Sequence, residues 1–173
     1  MNENVISKKE LDCINNFINL NKNLFWENIH SPHRKLLYFK ELNSKVGIKV
    51  PKLFSIVKTR ILSKENITKN YINDSPYGDY IGYIENEGKV HPHKDPTINE
   101  YDHIRFNLFI SVPEEGGFPI YNGETISVKV GDYVRCNSSK YIHECQPVIG
   151  NVPRIVVSYG IFLKKELINI EYL

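Results

Sequence analysis

The stretch I-R-F-N-L-F-I-S-V, residues 104–112, alternates two kinds of side chain. Successive residues of an extended strand point to opposite sides. Ile104, Phe106, Leu108, Ile110 and Val112 therefore share one face, and Arg105, Asn107, Phe109 and Ser111 share the other. A second stretch, R-I-V-V-S-Y-G-I-F-L at 154–163, repeats the pattern, with Ile155, Val157, Tyr159, Ile161 and Leu163 opposite Arg154, Val156, Ser158 and Gly160. The apolar faces belong in a core. The opposite faces are mixed, with one Arg each beside short polar and apolar groups, whereas a solvent-facing strand usually carries several charges. They fit either half-exposed strands or the wall of a ligand cavity with a few placed polar groups.

Working outward, Leu53–Leu62, Tyr80–Ile84, Thr125–Val130 and Asp132–Cys136 are short and rich in β-branched and aromatic residues, and Gly, Pro, Asn and Asp separate them. They read as further strands, and the basic stretch Lys52 to Lys69 reads as the solvated face of one. Upstream, Leu11, Ile14, Phe17 and Ile18 have the spacing of an amphipathic helix from Ser7 to about Phe25,. A second helix is expected from Pro32 to about Asn43. Helices first and strands afterwards predict a mainly β core with N-terminal helical buttresses.

With 173 residues, of which 41% are apolar and 12% aromatic, the chain suits a single globular domain over 1–173,. The 22 basic and 20 acidic residues nearly cancel, which gives no electrostatic case for nucleic acid or an anionic membrane,. Neither a basic stripe nor an aromatic platform for nucleic acid is apparent. The opening M-N-E-N-V-I-S-K-K-E-L-D lacks the apolar core of a signal peptide, and no run approaches the ~20 residues of a membrane span, so a cytoplasmic location is expected,. Cys13, Cys136 and Cys145 form no C-x-x-C pair and indicate neither a disulfide scaffold nor structural zinc,. Cys145 reads as a small buried residue.

The chemistry centres on H-P-H-K-D-P, residues 91–96. At a strand end, residues i and i+2 project to the same side, so His93 and Asp95 can converge on one metal ion. His143, in the loop-like segment Ser138–Gln146, is the candidate third ligand. Two His and one carboxylate on one face leave three cis positions open, the arrangement of non-haem Fe(II) oxygenases. Those positions would take a 2-oxo acid, through two oxygens, and O2. Arg154, eleven residues after His143, offers a planar fork to the distal carboxylate of a dicarboxylate,. Ser158, on the same strand face, would add a hydroxyl. His91 shares a strand face with His93 and reads as either a substrate contact or a polar residue at the rim. His103 has no partner at ligand spacing and is expected at the surface.

These pieces occur in a telling order: Y-I-E-N-E-G-K-V-H-P-H-K-D from 83, I-R-F-N-L-F-I-S-V-P-E-E-G-G from 104, V-K-V-G-D-Y-V from 128, and H-E-C-Q-P-V-I-G-N-V-P-R-I-V-V-S-Y-G from 143. As a set, spanning Tyr83 to Phe162, they resemble the 2-oxoglutarate/Fe(II) oxygenase superfamily, its prolyl-hydroxylase-like branch in particular. The resemblance implies a double-stranded β-helix (a jelly-roll, cupin-like core) over 51–173, with residues 1–50 as a helical buttress. It implies iron held by His93, Asp95 and His143, 2-oxoglutarate anchored by Arg154, and Tyr83 and Asn107 touching 2-oxoglutarate or lining its pocket. Asp95 points to hydroxylation, or to desaturation or cyclisation, because related halogenases replace this carboxylate with a small residue to admit chloride. The expected enzyme uses Fe(II), 2-oxoglutarate and O2 to oxidise an amino acid, a peptide residue such as proline or a small metabolite, giving succinate and CO2. The rival is a cupin-like protein that binds metal or a small ligand without redox chemistry.

Overall fold

The computed structural model describes residues 5–29, 31–75 and 77–165, and they form a mainly β protein with short helices on one side. In chain order the elements begin with α1 (Lys8–Leu20), β1 (Trp26–Glu27), β2 (Arg34–Tyr38), α2 (Phe39–Glu41), a π turn (Leu42–Val46) and α3 (Lys52–Lys64). The strands β3 (Tyr71–Asn73), β4 (Tyr80–Ile84), β5 (Val90–His93), β6 (Tyr101–Ser111), β7 (Glu115–Gly116) and β8 (Pro119–Tyr121) follow. The last are β9 (Glu124–Thr125), β10 (Tyr133–Asn137), β11 (His143–Cys145), β12 (Val148–Ile149) and β13 (Arg154–Lys164). The larger sheet runs β1-β2-β4-β13-β6-β10, with β3 pairing the far end of β13. The smaller sheet runs β5-β11-β8-β9, and β7 pairs β12.

The apolar faces expected of residues 104–112 and 154–163 form the main core. Ile104, Phe106, Leu108, Val157, Tyr159 and Ile161 are fully buried there, packed with Ile14 and Ile18 of α1 and Phe54, Val57 and Ile61 of α3. Val112 departs from this face. β6 ends at Ser111, the register shifts at Ile155/Val156, and Val112 joins a separate cluster around Phe109, Val128 and Val156.

The helix at the N-terminus forms where expected but ends earlier. Ser7 and Glu10 make a reciprocal capping box, and Asn21 closes the other end by donating its side-chain amide to Phe17 O at 2.7 Å,.

Residues 52–64 are helical rather than the expected strand. Phe54, Val57 and Ile61 are buried at spacings of three and four, the repeat of one helix face, and Ser55, Thr59 and Arg60 between them are exposed,. Of the β-branched residues in 53–62, Val57 and Ile61 belong to this buried stripe, whereas Ile56 and Thr59 are exposed. Conversely, the helix expected at 32–43 is interrupted by β2. There Leu37 enters the core opposite Ile81 while Leu36 turns to the other face. Cross-strand pairing with β4 outweighs the local helical preference. The helical layer is thus α1 and α3, and β1 and β2 extend the larger sheet, so the layers do not divide at residue 50. Of Thr125–Val130, only Thr125 lies in a strand.

Candidate metal centre

A cavity of about 160 Å³ is lined by the second face of the larger sheet and by the smaller sheet. From the larger sheet come Arg105, Asn107, Arg154 and Val156, so the mixed faces of β6 and β13 are a cavity wall. Alternate residues of β2 and β4, namely Arg34, Leu36, Tyr38, Tyr80 and Gly82, continue that wall. His93, His143 and Tyr121 line it from the smaller sheet.

β5 and β11 pair with His93 opposite His143, and the two ring centroids lie 4.1 Å apart. Asp95 follows the end of β5, and its backbone N–H donates to Ser138 O at 2.8 Å, which fixes the loop. Ligand atoms of His93, Asp95 and His143 all lie within 4.8 Å of one another, with His93 Nε2 3.7 Å from Asp95 Oδ1. His93 Nδ1 lies 2.7 Å from His91 O, and His143 Nδ1 lies 3.4 Å from Tyr141 O. A ring nitrogen facing a carbonyl donates to it, which leaves Nε2 of each ring unprotonated and able to bind metal. Burial and the neighbouring His93 lower the His143 pKa to about 4. Burial works against ionised Asp95, but the His103 hydrogen bond and the Arg105 charge outweigh it and hold the carboxyl well below its usual range. Neutral imidazole and ionised carboxylate are the forms that coordinate a cation. Two imidazoles and one carboxylate within such a span fit Fe(II) with open positions.

His103 is fully buried, contrary to the surface position expected of it. Its Nε2 lies 3.0 Å from Asp74 Oδ2 and its Nδ1 lies 3.0 Å from Asp95 Oδ2, although the Nδ1–H is not aligned well on that oxygen. Burial disfavours the imidazolium, but the two carboxylates overcome this and raise the His103 pKa. Arg105 Nη2 joins at 2.6 Å from the same Asp74 oxygen, and its guanidinium lies 4.7 Å from the Tyr80 ring centroid. The alternation of β6 carried two residues back from Arg105 puts His103 on the cavity-side face. That is the sequence signal for it.

Arg154 is 5% exposed, and its guanidinium lies over the Phe109 ring at 5.1 Å. Its Nε is buried and has no hydrogen-bond partner among the described residues. A buried donor without an acceptor is one that an anion in the cavity would satisfy. Asn107 lines the cavity and donates to Tyr121 O–H at 3.1 Å. Ser158 is fully buried behind the wall and accepts from Arg105 Nη1 at 3.3 Å, so it supports Arg105. Tyr83 does not reach the cavity. Since Gly82 and Ile84 face inward, Tyr83 turns to the opposite side, where its ring packs on Phe25 at 5.8 Å. The tyrosines that line the cavity are Tyr38, Tyr77, Tyr80 and Tyr121. His91 is exposed and outside the cavity wall, and Cys145 is buried.

The fold has its counterparts among 2-oxoglutarate- and iron-dependent oxygenases, prolyl hydroxylases included. The viral collagen prolyl hydroxylase vCPH of Paramecium Bursaria Chlorella virus-1, solved with 2-oxoglutarate, matches with a TM-score of 0.66 at 15% identity, over 94% of each chain. HygX of Streptomyces hygroscopicus, solved with nickel, 2-oxoglutarate and hygromycin B, matches with a TM-score of 0.68 at 9% identity, over 92% of this chain and 80% of its own. The α-ketoglutarate-dependent epimerase SnoN of nogalamycin biosynthesis reaches 0.70 at 12% identity, over 92% of this chain and 74% of its own. At these identities the likeness is one of fold. No protein-family model and no curated protein matches the sequence. No helix among the described residues is long and apolar enough to cross a membrane.

Proposed function

We propose that this chain is an Fe(II)- and 2-oxoglutarate-dependent dioxygenase built on a double-stranded β-helix, and that it hydroxylates a small substrate. The observation that carries the reading is the His93–Asp95–His143 cluster sharing one small cavity with the orphaned Nε of Arg154. Fe(II) bound there would supply the redox chemistry that couples decarboxylation of 2-oxoglutarate, to succinate and CO2, with insertion of an oxygen atom into a substrate C–H bond.

The chain's own residues do the positioning. His93 and His143 offer Nε2, with their Nδ1 atoms held by backbone carbonyls, and Asp95 offers Oδ1. Arg154 takes the distal carboxylate of 2-oxoglutarate, which completes the hydrogen bonding of Nε in a site where a charge-assisted bond is strong. Leu36, Gly82 and Val156 form an apolar strip on the cavity wall. Asp95 would fill the coordination position that a halogenase leaves to chloride, which supports hydroxylation, with desaturation or cyclisation as neighbouring outcomes.

The cavity is smaller than the ~300–1,000 Å³ typical of drug-sized ligands, so it suits a free amino acid, a single peptide side chain or a small metabolite,. Arg34 faces the same cavity without an acidic partner among the described residues, and so favours an anionic group on the substrate. The decisive experiment incubates the purified protein with Fe(II), 2-oxoglutarate and O2 and measures succinate. Succinate release stimulated by a screened amino acid or short peptide, with ¹⁸O from ¹⁸O2 in the product, supports the assignment. Metal binding with neither succinate formation nor O2 uptake would turn the reading to a non-redox, cupin-like binding protein.

A further inference from the structure

We propose that His103 is a positioning residue for Asp95. Braced by Asp74, it engages Oδ2 and leaves Oδ1 alone to the metal, so that the carboxylate binds through one oxygen. The inference rests on the reading of the site as an Fe(II) centre.

The number of oxygens that Asp95 contributes matters because carboxylates bind cations through one oxygen or two. Two imidazoles and one carboxylate oxygen leave three positions, enough for a bidentate 2-oxo acid and O2. A second carboxylate oxygen would consume one of them. In the structure the two oxygens of Asp95 face different groups. Oδ1 lies 3.7 Å from His93 Nε2, whereas Oδ2 lies 3.0 Å from His103 Nδ1 and 3.8 Å from Arg105 Nε. Among the described residues, no better-aligned acceptor serves Nδ1.

His103 is held from every side. Its ring stacks on Phe162 with centroids 4.7 Å apart and planes 23° apart. Its backbone N–H donates to Ser139 Oγ at 2.9 Å, and its carbonyl accepts from Ser138 Oγ at 3.0 Å. The brace on Nε2 is equally fixed. The Asp74 side chain is fully buried, its Oδ1 accepts the Tyr77 N–H at 3.0 Å, and its Oδ2 takes Arg105 as well as His103. A ring fixed in this way sets the rotation of Asp95. Such groups behind metal ligands orient them and tune their affinity.

A purely structural role for His103 would make its replacements equivalent if they lose similar packing. The positioning role separates two of them. His103→Asn keeps an N–H donor near the Nδ1 position, toward Asp95, and His103→Gln keeps one near Nε2, toward Asp74. Both lose the stack on Phe162. The full-length variants are titrated anaerobically with Fe(II), then with 2-oxoglutarate, and the visible spectrum of the Co(II)-loaded proteins reports coordination number. His103→Asn is expected to bind metal within about threefold of wild type, while His103→Gln loses about 10–100-fold. The Gln variant should also show weaker 2-oxoglutarate binding and a Co(II) spectrum of higher coordination number. Equal losses in both variants, tracking equal losses of Tm, overturn the inference. Should neither variant fold, Asp74→Asn decides, because it weakens the brace and leaves His103 in place. About a tenfold loss of metal affinity supports the inference, and affinity within twofold of wild type overturns it. Wild-type protein that binds neither Fe(II) nor 2-oxoglutarate removes the functional reading itself, and the inference with it.

Discussion

His93 and His143 stand opposite each other in the β5–β11 ladder, with ring centroids 4.1 Å apart. Fifty residues separate them in sequence, and a single strand pairing makes them neighbours. Register therefore matters more here than local conformation. A slip of one residue in either strand would turn one imidazole to the far face of the sheet and dismantle the cluster.

Replacing His93, Asp95 or His143 with Ala should each remove most Fe(II) binding, because in the proposed centre each would supply one of three donors. His91→Ala should leave affinity within about twofold, since the contact to His93 comes from its backbone carbonyl, which the substitution retains,. Metal titration of the four variants checks this. Normal affinity in the His143 variant would mean that the third ligand lies elsewhere.

Arg154→Ala should retain iron but raise the 2-oxoglutarate requirement, as the carboxylate proposed to bind there would lose its charged partner at a cost of about 2–5 kcal/mol. Lys at this position should restore part of the loss, as a point charge without the fork. Isothermal titration of the metal-loaded protein with 2-oxoglutarate distinguishes the cases. Affinity unchanged within twofold in the Ala variant would count against the anchor.

Much of this site was legible because strand alternation is strict. The parity of residues 104–112 and 154–163 placed Arg105, Asn107 and Arg154 on one wall and the core on the other, and the i, i+2 rule paired His93 with Asp95. Tyr83 was misplaced because the resemblance supplied its role without the parity of β4, where Gly82 takes the inward position. His103 gives no such signal within 104–112, because it sits two residues before Arg105 and its partner Asp74 comes from a distant segment. The exchange of helix and strand at 32–43 and 52–64 has another cause. Short apolar runs with β-branched residues fit both periods, and cross-strand pairing of β2 with β4 and the packing of α3 on the core settle which one forms.

Alkaline pH should destabilise the protein. Burial, then the charge of Asp95, pushes the Cys136 thiol up to about 12 from its ordinary 9.0. Burial, then Asp79, raises the Tyr159 hydroxyl, and burial raises Tyr121 as well. The folded pKa of each group lies above its unfolded value. The stabilising contribution is therefore complete below the unfolded pKa and is lost progressively as pH rises above about 9, where only the unfolded chain ionises. The Tyr159 hydroxyl is buried without a hydrogen-bond partner among the described residues, so Tyr159→Phe should cost little at pH 7 and reduce the alkaline decline,. Urea unfolding from pH 7 to 11 tests both statements. Stability that stays flat above pH 9, or a large loss in the Phe variant at pH 7, would contradict them.

Gly160 on β13 makes room for Asp74. A Cβ added there would lie 2.6 Å from Asp74 Oδ2 and 2.9 Å from Asp74 Cβ, well inside contact distance. The backbone at this position is ordinary strand, so Ala brings no conformational penalty of its own and its cost is steric. Gly160→Ala should destabilise the fold by about 1–3 kcal/mol, the usual cost of overpacking. The displaced carboxylate also braces His103, so Fe(II) affinity should fall along with stability. A double-mutant cycle separates this from a general defect in β13. In an Asp74→Gly background the new methyl group meets neither the carboxylate nor the Cβ of residue 74, and the Gly160→Ala substitution should then add much less to the loss of Tm or of metal affinity,. Fully additive losses would show that Gly160 serves the strand and not Asp74, and that the close approach of the two residues has no part in holding the metal site.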